Sequence, residues 1–93
     1  MEQVNVDRVV AVAVDIQNDF CPGGTLAVAE GDQVVEPMNQ VITFSRANEG
    51  QVVATRDWHP RDTKHFAEFG GPWPVHCVAN TRGAAYKEGL DVG

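Results

Sequence analysis

A chain of 93 residues that is 43% hydrophobic and carries a net charge of −6 suits one small soluble domain or part of one. With 7 Lys and Arg against 13 Asp and Glu, and no basic cluster to neutralise phosphates, a nucleic-acid partner is excluded. No apolar run approaches the roughly 20 residues that span a bilayer, so no membrane partner is expected. The opening Met1–Asp7 lacks a basic region backed by an apolar stretch, so it does not read as a signal peptide. Cys21 and Cys77 then read as free thiols of a cytoplasmic protein rather than as a disulfide.

Val9-Val10-Ala11-Val12-Ala13-Val14 is a continuous apolar run rich in valine. Without alternation it predicts a strand buried on both faces, hence a parallel sheet covered by helices. Asp15 closes the run, either as a candidate general base at the strand exit or as a capping or turn aspartate. Ile16 to Gly24 is loop, because Asn18-Asp19, Pro22 and Gly23-Gly24 are turn chemistry. Loops at the carboxyl ends of parallel strands are where open α/β sheets bind ligands. Phe20 in that loop is either a pocket wall or a lid on the core.

Thr25 to Val35 reads as an irregular connection. A helix follows, with Pro37 in its first turn, where the missing N–H costs nothing. Met38, Val41, Ile42 and Ser45 fall at helical spacing with Phe44 beside them, which predicts an apolar stripe facing the sheet, with Met38 and Phe44 in the core. The stop is expected near Asn48 or Glu49, with Gly50 as the first residue beyond the helix. Gln51 to Arg56 is the second strand. Strand, helix and strand in succession make a right-handed parallel βαβ unit, which delivers Asp15 and Asp57 to the same sheet edge.

At that edge stands Thr55-Arg56-Asp57-Trp58-His59-Pro60, followed by His65 and His76; these are the 3 histidines of the chain. Asp57 and His59 are two apart and point the same way on extended chain, and Pro60 fixes φ and ends the strand. Any one Asp-x-His pair can be a solvated loop feature. With His65 and His76 added, the segment reads as a site for one divalent metal, zinc, iron or manganese, which all accept imidazole and carboxylate. Arg61 to Gly83 contains Gly70-Gly71-Pro72-Trp73-Pro74 and reads as a long structured loop, of the kind that is usually functional. Trp73 either walls a flat, partly apolar pocket or anchors the loop on the core. Ala84 to Leu90 is a further short turn.

Several pieces coincide with a known family. Val14-Asp15-Ile16-Gln17-Asn18-Asp19-Phe20-Cys21-Pro22-Gly23-Gly24 with Leu26-Ala27-Val28 resembles the opening of the nicotinamidases (pyrazinamidases), of the isochorismatase-like cysteine hydrolase superfamily. Ala54-Thr55-Arg56-Asp57-Trp58-His59-Pro60, His65-Phe66 and Trp73-Pro74-Val75-His76-Cys77-Val78 resemble that family's metal-site segments in the same order. The likeness runs from about residue 8 to about residue 90.

The resemblance implies a three-layer, Rossmann-like α/β fold with a parallel sheet, represented here by its N-terminal βαβ portion and metal-site loop. It implies an amidohydrolase that converts nicotinamide, or pyrazinamide, through a cysteine thioester, as a step of cytoplasmic NAD salvage. Asp15 matches the catalytic aspartate. Asp57, His59 and His76 match metal ligands, and His65 matches a fourth ligand found in some members. The family's metal binds the pyridine nitrogen and orients the ring. Phe20 and Trp73 match ring-stacking walls, and Leu26 adds apolar wall. The family's lysine and nucleophilic cysteine have no match: Lys64 and Lys87 lie outside the lysine segment, and Cys21 and Cys77 match non-catalytic cysteines. By itself the chain is therefore expected to be inactive and marginally stable, with an open sheet edge. Two alternatives are an isochorismatase or other amide hydrolase, whose relatives generally lack Asp-x-His and the later His, and a non-catalytic metal-binding remnant. The sequence leaves the oligomeric state open, a homo-oligomer included.

Overall fold

The structure, a computed structural model, describes residues 9–92, so the opening Met1–Asp7 that was read for a leader lies outside them. Strand β1 (Val10–Val14), helix α1 (Val35–Ala47) and strand β2 (Gln51–Thr55) form one βαβ unit. The strands pair in parallel from Val10↔Gln51 to Val14↔Thr55. Branched side chains stack well on a pleated surface, and α1 returns the chain across one face so that β2 must run alongside β1. Fold class and strand direction are as expected. No helix among the described residues is long and apolar enough to cross a membrane.

Among the described residues β1 is buried on one face only, where burial on both was expected. Ala11 and Ala13 are buried, whereas Val10, Val12 and Val14 are 51%, 47% and 64% exposed, with Val53 at 44% beside them. The cause is coverage: α1 packs on both strands from the alanine side, where small side chains let Ile42 and Ser45 approach until they are buried. Among the described residues nothing covers the valine side. The apolar stripe of α1 is correspondingly narrower than its sequence suggests. Met38 is only half-buried and Val41 and Phe44 are exposed, so the assignment of Met38 and Phe44 to the core is corrected. A sheet of two strands is too narrow to cover the whole stripe.

The helix also begins earlier than expected, at Val35, and is entered through a 3₁₀ turn at Gly31–Val34. Pro37 does fall in its first turn. At the other end Glu49, not Gly50, takes the left-handed position (φ 57°). Its N–H donates to Arg46 O at 3.2 Å and that of Gly50 to Ser45 O at 2.7 Å, the paired closure common at helix ends. Glycine is required at 50 for space, because a Cβ there would run into the Val9 carbonyl oxygen and Ser45 Oγ. Ser45 Oγ in turn donates to Gln51 O at 2.8 Å, joining the end of α1 to the start of β2.

Residues 61–83 form the long loop foreseen, without regular structure beyond 3₁₀ turns at Ala67–Phe69 and Arg82–Ala84. Isolated bridges brace it and its flanks: His59 with Val78 in parallel, Phe66 with Trp73 in parallel, and Gln17 with Tyr86 antiparallel.

Candidate metal and ring-binding site

Past Thr55 the chain stays extended, and side chains alternate. Arg56 and Trp58 face outward, with the Arg56 guanidinium 3.9 Å above the Trp58 ring; Asp57 and His59 face inward. His59 N–H donates to Cys77 O at 2.9 Å and Ala79 N–H to His59 O at 2.8 Å. That pairing carries the adjacent His76 into reach. Asp57 then spans two imidazoles, Oδ1 lying 2.9 Å from His59 Nε2 and Oδ2 3.1 Å from His76 Nε2. The ligand atoms of Asp57, His59 and His76 all lie within 4.8 Å of one another.

The hydrogen bonds of His76 test whether this set fits a metal. Its Nδ1 is 2.7 Å from Pro74 O, and a carbonyl oxygen only accepts, so Nδ1 carries a proton and Nε2 is the nitrogen turned to Asp57. Nε2 lies 3.1 Å from Asp57 Oδ2, a spacing that a shared proton or a metal ion held by both atoms can occupy. A ligating histidine whose other nitrogen donates to a carbonyl is the usual arrangement at metal sites. Two imidazole nitrogens and a carboxylate with further positions open suit zinc, iron or manganese. His65 stands apart. Its ring centroid is 5.7 Å from that of His59, edge-on, but its nitrogens fall outside the cluster of ligand atoms.

A cavity of about 300 Å³ opens over these groups, lined by Phe20, Leu26, Asp57, His59, His65, Trp73 and His76. The ring centroids of Phe20 and Trp73 lie 5.8 and 6.4 Å from that of His76. Trp73 is 51% exposed, so it borders the cavity rather than anchoring the core. Phe20 and Leu26 are brought to the rim by a tight turn in which Leu26 N–H donates to Asp19 O at 3.0 Å and Val28 N–H to Phe20 O at 3.0 Å.

Asp15 is the one candidate residue that does not line the cavity. It leaves β1 with a left-handed φ of 53°, a conformation that costs energy in any residue with a Cβ and recurs at functional sites. Thr55 holds it from the paired strand: the Asp15 N–H donates to Thr55 Oγ1 at 3.1 Å, and the Thr55 hydroxyl donates to Asp15 Oδ1 at 2.8 Å.

The two thiols are free and buried. Burial pushes the Cys77 thiol up, and the carboxylates of Asp19, Asp57 and Asp15 push it further, to about 12. Burial also raises Cys21, with Lys87 opposing and Asp32 adding to the shift. Neither is a thiolate at neutral pH, so neither has the character of a nucleophile.

Nothing in the sequence pattern around Phe66 marks a role for it. It is fully buried, and its ring meets those of His59 and His76 edge-on at 5.4 and 5.5 Å, forming the floor beneath both imidazoles. Gly71 allows this, since a Cβ there would run into the His65 carbonyl and prevent residues 71–73 from closing on 65–67. Phe66→Ala is expected to cost about 3–5 kcal/mol, as for other buried aromatic truncations; a smaller change in the denaturant midpoint at equal slope would show that the floor bears little of the packing.

Fold and site together define the class. The Isochorismatase domain family matches residues 9–93, and the chain belongs to that family. A nicotinamidase of Escherichia coli is 41% identical over 86 residues, which cover 76% of this chain and 40% of that protein. A nicotinamidase/pyrazinamidase of Mycobacterium tuberculosis is 39% identical over 83 residues, 86% of this chain and 44% of that protein. Among solved structures, the pyrazinamidase of Pyrococcus horikoshii in complex with zinc matches with a TM-score of 0.80 and 48% identity, covering 83% of this chain and 43% of that one. PnC1 from L. infantum in complex with nicotinate matches with a TM-score of 0.82 and 38% identity, covering 96% and 44%. The chain thus spans about half the length of the curated relatives it matches.

Proposed function

We propose that the protein bearing this chain is a metal-dependent nicotinamidase, which hydrolyses nicotinamide to nicotinate and ammonia. The observation that supports it best is the convergence of Asp57, His59 and His76 on one point of a cavity bordered by Phe20 and Trp73. A volume of about 300 Å³ lies at the small end of ligand pockets and suits a single aromatic ring. A divalent metal held by the three ligands would supply a Lewis acid for the ring nitrogen, so that it orients the substrate rather than activating the attacking group. Zinc is the metal in the Pyrococcus relative, and iron or manganese suits the same donors. His65 is proposed as a neighbour of the substrate rather than a ligand. Phe20, Trp73 and Leu26 offer apolar surface to the ring.

Asp15 takes the proton of a cysteine thiol as its sulfur attacks the amide carbonyl, and passes it to the departing ammonia. Water then cleaves the thioester, releasing nicotinate and restoring the thiol. Cys21 and Cys77 are unsuited to that attack, so the nucleophile and the family's lysine are assigned to the part of the full-length protein that corresponds to the relatives' other half. Pyrazinamide is a second substrate on this reading, since it presents the same ring nitrogen and carboxamide. The test is ammonia release by the full-length, zinc-loaded protein from nicotinamide and pyrazinamide, with isochorismate as the control. Hydrolysis of isochorismate without turnover of nicotinamide would overturn the proposal in favour of the isochorismatase alternative.

A further inference from the structure

The two strands part company immediately before the site. Asp15 turns left-handed, so β1 leaves the ladder after Val14↔Thr55. The main-chain N–H and C=O of Asp57, two residues further on, meet no strand backbone. The side chain of Gln17 stands in that position instead. Its Oε1 accepts the Asp57 N–H at 2.8 Å, while its Nε2 donates to Asp57 O at 2.8 Å and to Ala84 O at 2.8 Å. A primary amide offers the same donor and acceptor pair as a peptide unit, so this side chain replaces the missing strand neighbour.

Gln17 is itself immobilised. It is fully buried, its N–H donates to Asp15 O at 2.9 Å, its carbonyl accepts Phe20 N–H at 3.1 Å, and it bridges to Tyr86. We propose that Gln17 is a positioning residue for the metal centre, fixing the main chain of Asp57 so that its two carboxylate oxygens reach His59 Nε2 and His76 Nε2 together. The inference rests on the metal-site reading above.

The physical reason is tolerance. Ligand distances at a metal site hold to within about 0.2 Å, and Asp57 lies on a segment with no regular structure. Its carboxylate can span both imidazoles only if its Cα is fixed, and the Gln17 amide is the group that fixes it. Asparagine is one methylene too short to reach across. Glutamate can accept the Asp57 N–H but sets a carboxylate against two carbonyl oxygens.

The test uses the full-length protein loaded with cobalt(II), whose visible absorption bands report coordination geometry, and measures affinity by chelator competition. Gln17→Met, of matching length without the amide, is expected to bind cobalt about 10- to 100-fold more weakly and to show altered bands at saturation. A residue that served only packing would leave those bands unchanged once the site is filled, and that result would overturn the proposal whatever the affinity. If Gln17→Met does not fold, Gln17→Glu keeps one of the three bonds and is read in the same way. A wild-type protein that takes up no cobalt would instead bring down the metal-site reading, and this inference with it.

Discussion

The full-length His76→Ala protein is expected to bind zinc at least about 100-fold more weakly than wild type, because groups that merely hold a ligand already cost about 10- to 100-fold. His76 is buried, and its orientation is set by the 2.7 Å bond from Nδ1 to Pro74 O, so its loss removes a ligand held in a fixed place. Its loss also frees Asp57 Oδ2, which faces it at 3.1 Å, and thereby loosens a second ligand. His65→Ala is the informative partner measurement. Its ring stands beside that of His59 but outside the ligand cluster, so the expected loss is at most about 10-fold. Chelator competition on both variants decides the matter. Equal losses would make His65 a fourth ligand, and an unaffected His76→Ala would remove the proposed centre.

Asp15→Asn in the full-length protein is expected to lower kcat by about 100- to 10,000-fold, the usual contribution of a positioned general base, while zinc binding stays within a small factor of wild type. The substitution isolates the proton-transfer role because little else changes. Asparagine tolerates the left-handed backbone that residue 15 adopts better than most residues. Its side-chain carbonyl can still accept the Thr55 hydroxyl now bonded to Asp15 Oδ1. What it lacks is a carboxylate to take a thiol proton. Single-turnover ammonia release together with metal content would read both quantities, and near-normal turnover would show that another group is the base.

Much of the arrangement was legible from local pattern. A valine run, a helical stripe and a second apolar run specify a parallel βαβ unit, because periodicity and branching act on neighbours in sequence. Asp57 and His59 were readable as a pair for the same reason, since alternation on extended chain is a local property. Where the described residues depart from the pattern, the difference is one of coverage. Val10, Val12 and Val14 carry the composition of a doubly buried strand, yet burial depends on what packs against them. Glu49 in place of Gly50 at the helix end shows a similar limit: Gly50 was expected as the first residue beyond the helix, whereas its place is set by the approach of Val9 and Ser45.

What the sequence determined by itself, then, is the set of elements, their order and direction, and the chemical types brought to one sheet edge. Tertiary structure alone decided which of them meet. The bridge between His59 and Val78 draws His76 to Asp57 across 19 residues and leaves His65, nearer in sequence, outside the cluster. Gln17 and Phe66 acquire their parts in the same way, through contacts with residues 40 positions away or across a loop. Those contacts follow from loop closure and packing, which sum over the whole chain and leave no trace in the spacing of any one segment.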